Sequence, residues 1–489
     1  MKILLVGTGP LRGGGVAYYE RALSQEFTAH GHETTILAVD PIDLYSSRAY
    51  IRRIEAEPFS SRGIQVFDLV SNGVPYFSCV QPYRQCVNPS AESVYEDFLQ
   101  AVGPDVVHFQ AARPASMLSI TRRHGIPSIV SIHDYWFLCS QGFLIRGDNS
   151  LCDGPNDGLS CVMYCAGVRK RTLGRITKDA GKRLLAQMPH RIATTIFGVY
   201  SDHVQRKQTA RDERECIKFE NFLRPVPSVV HQYDLADLRA WRFRTEYMQR
   251  TLSLDADLVI AVSKFVREKL VQFGIPEYKI CTVHSGFEHA KGMFDNVSHR
   301  QVNPSELVFG YVSPMFREKG LHILIAAFEG LANQNARLLI RGKMSERNRK
   351  YWSYLKRHCS LLPFVNFAGE FEYAELPRIL EQMDVLVVPS IMHDPSPRVV
   401  WEALASKTPV IASRSGGIPD FVQDGVNGLL FERANWDDLR DKMQMVLEDP
   451  TLVERLRSGI GPLKDITRHA SELLSIYQQQ INNPKRTQG

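Results

Sequence analysis

The pair Asp394-x7-Glu402 is the most informative chemical feature of this chain. The stretch Val388-Pro389-Ser390-Ile391-Met392-His393-Asp394-Pro395-Ser396-Pro397-Arg398 runs from an apolar segment into a polar loop, and a helix is predicted from Pro397 or Arg398. Asp394 then sits just before the first turn and Glu402 about one turn in, so both carboxylates can meet one ligand. Carboxylates accept hydrogen bonds from sugar hydroxyls and ribose diols. Proline suits a helix start. The open amides of the first turn, at Arg398, Val399 or Val400, favour a bound anion such as a diphosphate, as does the positive end of the helix dipole. The competing reading makes Asp394 a helix cap and Glu402 a surface residue.

Three other loops carry chemistry. Gly310-Tyr311-Val312-Ser313-Pro314-Met315-Phe316-Arg317-Glu318-Lys319-Gly320 places cations between a strand and a helix. Arginine binds phosphate as a fork and lysine as a point charge, unless the loop is merely solvated. Gly7-Thr8-Gly9-Pro10-Leu11-Arg12-Gly13-Gly14-Gly15 lets backbone approach a phosphate closely. It fails as a dinucleotide fingerprint because Arg12 stands at the third glycine, although Asp40 after the next strand could mimic that motif's ribose acid. In Ser131-Ile132-His133-Asp134-Tyr135-Trp136, His133 lies just past a strand end, with Asp134 placed to orient it or to bind a second substrate. His108, near the end of the preceding strand, is a lesser candidate. Cys139-x12-Cys152-x8-Cys161-x3-Cys165 could hold a structural Zn²⁺, against free thiols or a redox pair; its spacing is irregular and lacks a Cys-x2-Cys knuckle.

The elements that must position these loops alternate. Lys2–Val6, Glu33–Val39, Asp105–Phe109, Ser128–Ile132, Asp257–Val262 and Lys279–Val283 read as buried strands, with helices over Val16–Phe27, near Pro114–His124, and from a Ser263 cap to Phe273. Residues 288–305 are polar and aperiodic, the best linker candidate. The alternation restarts with strands Leu307–Val312, Ala336–Ile340, Val365–Phe367, Val385–Val388, Val410–Ala412 and Gly428–Phe431. This predicts an α/β fold of two Rossmann-like, doubly wound parallel-sheet domains facing a cleft: residues 1–287 and 305–465, with a helix in 466–489 crossing back. Residues 168–253 break the rhythm and read as a helical, basic insertion in the first domain, running through Arg169, Lys170, Arg171, Arg175, Lys178, Lys182 and Arg183. A basic amphipathic helix can lie on anionic lipid, or be a solvated face.

Asp394-x7-Glu402, the following Lys407-Thr408-Pro409-Val410-Ile411-Ala412 strand, the turn Ser415-Gly416-Gly417-Ile418-Pro419-Asp420 and Asp424-Gly425-x-Asn427-Gly428 together resemble the signature of family 4 glycosyltransferases of the GT-B fold. That family pairs two glutamates. Here the first acid is aspartate, the usual Pro-Phe-Gly is Pro395-Ser396-Pro397, and the turn ends in Asp420. Lys319-Gly320 matches the family's Lys-Gly, Tyr311 occupies its arginine position, and Gly13, Gly14 and Gly15 resemble its N-terminal glycine loop. The resemblance covers most of the chain outside the insertion and is strongest over 305–435. It implies a retaining transferase that takes a sugar from a nucleoside-diphosphate sugar. Glu402 would hold the ribose and Asp394 the donor-sugar hydroxyls. Lys319 and Arg317 would face the diphosphate, His133 the sugar pocket, and Asp134 and His108 the acceptor side. It implies no catalytic metal, and relatives with a His-Asp-Tyr-Trp…Cys stretch carry a comparable cysteine cluster. A nucleotide-sugar epimerase or phosphorylase on the same fold, or a degenerate nucleotide-sugar-binding subunit, are the rival readings.

Length and composition agree with two or three soluble domains: 489 residues, 44% hydrophobic and 23% charged. A net charge of +6 does not call for nucleic acid but suits an anionic ligand or a membrane surface. The apolar run Ile3–Val6 is too short for a signal segment, and no stretch approaches the ~20 apolar residues of a membrane span. The nine cysteines form an odd, scattered set, unlike a secreted disulfide framework. The expected setting is cytoplasmic, peripheral to the inner face of the membrane if the basic insertion binds lipid.

Overall fold

A computed structural model describes residues 1–11, 14–39, 48–71, 82–140, 142–145, 151–155, 159–166, 235–287, 301–331, 335–344, 349–360 and 362–483. Eight strands form the first sheet: β1 (Lys2–Gly7), β2 (Glu33–Ala38), β3 (Tyr50–Ile54), β4 (Gln65–Val70), β5 (Val106–Phe109), β6 (Ser128–Ile132), β7 (Leu258–Ala261) and β8 (Ile280–Thr282). Six form the second: β9 (Leu307–Val312), β10 (Ala336–Arg341), β11 (Val365–Gly369), β12 (Val385–Val388), β13 (Val410–Ser413) and β14 (Gly428–Phe431). The strands β1, β5, β6, β9, β12, β13 and β14 are buried along nearly their whole length, as apolar runs covered on both sheet faces should be.

The strand orders are β3-β4-β2-β1-β5-β6-β7-β8 and β11-β10-β9-β12-β13-β14. Each reverses direction once, between β1 and β5 and between β9 and β12. Loops leaving the carboxyl ends at such a reversal enclose a crevice, the usual ligand position in open α/β sheets. Every pairing is parallel except β3 with β4. The alternation did not predict this edge hairpin, because β3 is mostly exposed and carries no apolar run. Its connection, 55–64, is shorter than a parallel crossover needs.

The chain leaves the first half near Phe287, which packs on Trp401 of the second half at 4.6 Å between ring centres. It returns at Asp465, bridged to Phe287. A side chain at Gly286 would lie 2.2 Å from the Asp465 carbonyl, so the two crossings need glycine there. The helix Ile466–Ile481 then buries Ile466, Ala470, Leu473 and Tyr477 in one cluster with Ile3, Leu5, Ile36, Val106 and Ile129 of the first sheet. Its start is capped by Asp465, whose side chain accepts from the Arg468 amide. Of the basic insertion, residues 168–234 lie outside the described residues, as does 288–300 of the linker; the helix Leu235–Arg250 closes the insertion.

Candidate active site between the two sheets

The loop after β9 closes into a single turn, Arg317–Lys319, before the helix Leu321–Glu329. Gly320 makes this turn possible. Its φ is +75°, and a β-carbon there would sit 1.8 Å from the Pro389 carbonyl oxygen. The Ile391 amide bonds the Glu318 carbonyl at 2.9 Å, so the β9 and β12 loops lie against each other at the strand reversal. Lys319 Nζ donates to Asp394 Oδ2 at 2.6 Å. The Gly-Gly turn holds the acid from behind: the Gly417 amide bonds the Asp394 carbonyl at 2.8 Å, and Gly416, at φ +56°, leaves no room for a β-carbon.

Glu402 lies on the helix Arg398–Ala405 and is 5% exposed, which excludes the surface-residue reading. Its Oε1 accepts from the Tyr373 hydroxyl at 2.5 Å and pairs with Arg398 Nε at 2.8 Å. Burial raises the carboxyl pKa, opposed by Arg398 and by the Tyr373 hydrogen bond. The Arg398 guanidinium stands 4.7 Å from the Tyr18 ring centre and 4.5 Å from that of Tyr373, and those rings stack at 5.0 Å. Tyr18 belongs to the helix Gly15–Ala29 of the first half, so these aromatics close the cleft over Glu402. Sequence reasoning missed both tyrosines. Their only trace is an aromatic doublet, Tyr18-Tyr19, just past the glycine loop, and one tyrosine ahead of the short helix Leu376–Leu380.

Val399 is half-buried and Val400 buried. The Val400 amide already bonds the Pro397 carbonyl at 3.1 Å, so of the three amides predicted to face an anion it is spent within the helix's own first turn. By helix geometry the amides of Arg398 and Val399 have no intrahelical carbonyl. Arg317 neighbours Tyr351 and His322, and burial lowers its pKa, whereas Lys319 turns toward Asp394. Tyr311 is 1% exposed inside the second core, so its side chain does not reach the loop that would face a phosphate.

On the first sheet, His133 follows β6 and is half-buried. Its Nε2 meets Gln110 Oε1, Tyr19 packs on its ring at 4.8 Å, and burial pushes its pKa down to about 4, so the imidazole is neutral. Asp134 accepts from the Trp136 amide at 2.7 Å and lies 3.9 Å from Arg113, which ties it into its own turn. His108 must be corrected. It is fully buried, with Nδ1 on the Tyr477 hydroxyl at 2.5 Å and Nε2 on Ser131 Oγ at 2.7 Å, so it joins the C-terminal helix to the sheet and faces no acceptor. Gly14, at φ +120°, and Gly15 open onto empty space, while Arg12, Gly13 and Asp40 lie outside the described residues. Glu20, fully buried, accepts from the Thr8 and Gly9 amides at 2.9 Å each and pins the start of this loop.

Asp420 crosses between the halves: its Oδ2 takes the Lys264 amide and His284 Nε2, both at 2.8 Å. Of the four clustered cysteines, Cys139, Cys152 and Cys161 are buried and Cys165 half-buried. Among the described residues, no group of three or more His, Cys, Asp or Glu side chains is gathered to hold a metal ion. Among the same residues no helix is long and apolar enough to cross a membrane.

Known proteins agree with this architecture. Residues 295–460 match the family model for glycosyl transferases group 1, residues 14–156 that for a glycosyl transferase 4-like domain, and residues 220–291 that for glycosyltransferase family 4. An uncharacterized glycosyltransferase of Methanocaldococcus jannaschii is 29% identical over 45% of this chain and 59% of its own length. A glycogen synthase of Mycobacterium tuberculosis is 25% identical over 47% and 56%. The chain thus matches little more than half the length of these relatives. Among solved structures, a sucrose-phosphate synthase of Thermosynechococcus elongatus superposes with a TM-score of 0.61 at 16% identity, covering 98% of this chain and 99% of that one. The Anabaena HepE protein in complex with UDP and glucose superposes with a TM-score of 0.57 at 15% identity, over 98% and 99%. At such identity these two speak for the fold alone. With two doubly wound sheets, an Asp394-x7-Glu402 pair brought to the strand reversal and three matching segments, the chain belongs to the family 4 glycosyltransferases of GT-B fold.

Proposed function

We propose that the protein transfers a sugar from a nucleoside-diphosphate sugar to an acceptor with retention of anomeric configuration. The observation that carries this reading is the meeting of Lys319 and Asp394 at the β9/β12 reversal, beside the start of the helix that bears Glu402. A diphosphate resting on the Arg398 and Val399 amides would take Lys319 as its counter-charge. Asp394, already within reach of Lys319, would accept from donor-sugar hydroxyls. Glu402 would exchange its Tyr373 hydroxyl partner for the ribose diol. The bond from the anomeric carbon to the diphosphate oxygen breaks and the bond to the acceptor oxygen forms. The acceptor proton passes to the leaving diphosphate. Charge building on that oxygen is stabilised by fixed donors that need no reorganisation. This scheme uses no divalent cation, and EDTA should leave the rate unchanged.

The deciding experiment is a binding and turnover screen over UDP-, GDP- and ADP-sugars. Binding to one of them, slow donor hydrolysis without acceptor and an unchanged anomer in the product are expected. Binding with no hydrolysis and no transfer would identify a degenerate binding subunit, and turnover requiring inorganic phosphate a phosphorylase. The setting we propose is the cytoplasm, with the basic segment 168–253 meeting anionic lipid. Sedimentation with phosphatidylglycerol vesicles, lost on charge reversal at Arg169, Lys170 and Arg171, tests that contact.

A further inference from the structure

Arg122 and Arg123 end the helix Met117–Arg123 ahead of β6, and Asp255 ends the wide π-turn Thr251–Asp255 ahead of β7. Both strands run parallel to β1 and β5, so these residues lie at the amino edge of the first sheet, away from the carboxyl-end crevice. With Arg250, Tyr247, Ser119 and Thr251 they line a cavity of about 400 Å³, a size that suits a small ligand. The π-turn that shapes one wall is an uncommon geometry, found often at functional sites. Three guanidiniums and one carboxylate line this cavity, and the carboxylate is turned away from them. Asp255 Oδ2 accepts from Ser119 Oγ at 2.5 Å, and Ser119 is also bonded by Tyr247. Among the described residues no ion pair joins Asp255 to an arginine. Arg122 Nη1 donates to the Leu254 carbonyl. Arg123 reaches Glu96 only at 3.5 Å, and His124 holds that same carboxylate at 3.0 Å. Arg250 is exposed and has no ion pair among the described residues. Nearby, Lys279 Nζ bonds the Ala256 carbonyl at 2.7 Å, and its pKa is lowered by burial and then by Arg122. Single cations at helix ends are ordinary, since the last carbonyls are partly negative. Here two helix ends and a turn gather three around one concavity.

We propose that Arg122, Arg123 and Arg250 form a second anion site, separate from the cleft, that takes a phosphomonoester: the group shared by a phosphorylated sugar and by the headgroup of phosphatidic acid. This site does not depend on the transferase reading above. Guanidinium forks match the oxygens of a phosphate, and each can give two parallel hydrogen bonds. A carboxylate or a phosphodiester brings one negative charge. A phosphomonoester brings nearly two, with three acceptor oxygens, and so answers the charge that Asp255 leaves uncompensated among the three arginines. The rest of the lining is rich in hydroxyls, from Ser119, Tyr247 and Thr251, which suits a hydroxylated body behind the phosphate.

Calorimetry on the full chain with glucose 6-phosphate, inorganic phosphate and glucose tests the soluble source. Sedimentation with phosphatidylcholine vesicles carrying either phosphatidic acid or phosphatidylglycerol, matched in charge, tests the lipid source. Binding of glucose 6-phosphate and inorganic phosphate but not glucose, weakened about tenfold for each arginine removed in Arg250→Gln and in Arg122→Gln/Arg250→Gln, identifies a soluble phosphomonoester. Preference for phosphatidic acid over phosphatidylglycerol, lost in the same variants, identifies the lipid headgroup. Arg250→Gln has no ion pair to lose, and an unchanged Tm in that variant separates the site from the fold. Lys319→Ala, at the other end of the sheet system, should leave both kinds of binding unchanged. The site is overturned if none of these probes binds, if binding is indifferent to the arginine variants, or if it is lost equally in Lys319→Ala. Failure of the nucleotide-sugar screen would leave this result standing, because none of these probes is a nucleotide.

Discussion

Lys319 Nζ lies 2.6 Å from Asp394 Oδ2, joining two loops that are 75 residues apart in the chain. Both side chains are mostly withdrawn from solvent, at 24% and 14% exposure. The pair is held in place by the Gly320 turn on one side and the Gly416-Gly417 turn on the other. A bound diphosphate would compete with Asp394 for the lysine. Lys319→Ala should therefore lower kcat about 10²-fold or more, the usual cost of losing one fixed donor to a developing anion. Lys319→Arg should recover part of it, and steady-state transfer assays read both.

Glu402 is paired to Arg398 on its own helix and to Tyr373 from the loop after β11. Glu402→Gln should weaken donor binding about tenfold, roughly 1.4 kcal/mol, measured by calorimetry with the nucleoside diphosphate. Glu402→Ala leaves Arg398 beside an unfilled site and should also cost about 3 kcal/mol of stability, visible in urea unfolding.

Gly320→Ala tests the turn that carries Lys319. A side chain at φ +75°, 1.8 Å from the Pro389 carbonyl oxygen, forces the β9 and β12 loops apart. A loss of about 2 kcal/mol or more is expected, with activity falling further than stability explains. An unchanged Tm together with unchanged kcat would contradict the close approach of the two loops.

Tyr477 fills the core between the C-terminal helix and the first sheet and donates to or accepts from His108. Tyr477→Phe should cost about 1–2 kcal/mol by leaving a buried ring nitrogen unpaired. Tyr477→Ala should cost about 3–5 kcal/mol through the cavity as well. Differential unfolding of the two variants separates the hydrogen bond from the packing.

Burial pushes His133 and His393 down to about 4, and His108 and His322 down to about 3. In the unfolded chain they titrate near about 6.5. The folded state therefore binds fewer protons than the unfolded state between these values, so stability is full above about pH 6.5 and falls as the pH drops toward about 4. Each histidine contributes up to about 1.4 kcal/mol per pH unit within that window. Urea unfolding at about pH 7, 6 and 5 should show the decline, and His322→Gln should reduce its slope by one proton.

Much of this protein was legible in its residues because the relevant rules act over a few positions. Apolar runs of strand length, Ser263 capping the helix Lys264–Gln272, glycines where a turn needs positive φ and the Asp394-x7-Glu402 spacing on one loop and helix all depend on near neighbours. They gave two α/β halves and the loops that converge at the second strand reversal. Only packing decided the rest. His108 looked like a ligand-facing residue until Tyr477, 369 positions away, closed over it. Gln110 belongs to no motif, yet the order of β1, β5 and β6 brings it against His133. Tyr18 and Tyr373 enclose Arg398 only because the two halves face each other. Such pairs leave no periodic trace, since each partner's local pattern is satisfied by its own strand or helix. Their meeting is fixed by how the buried faces of those elements stack.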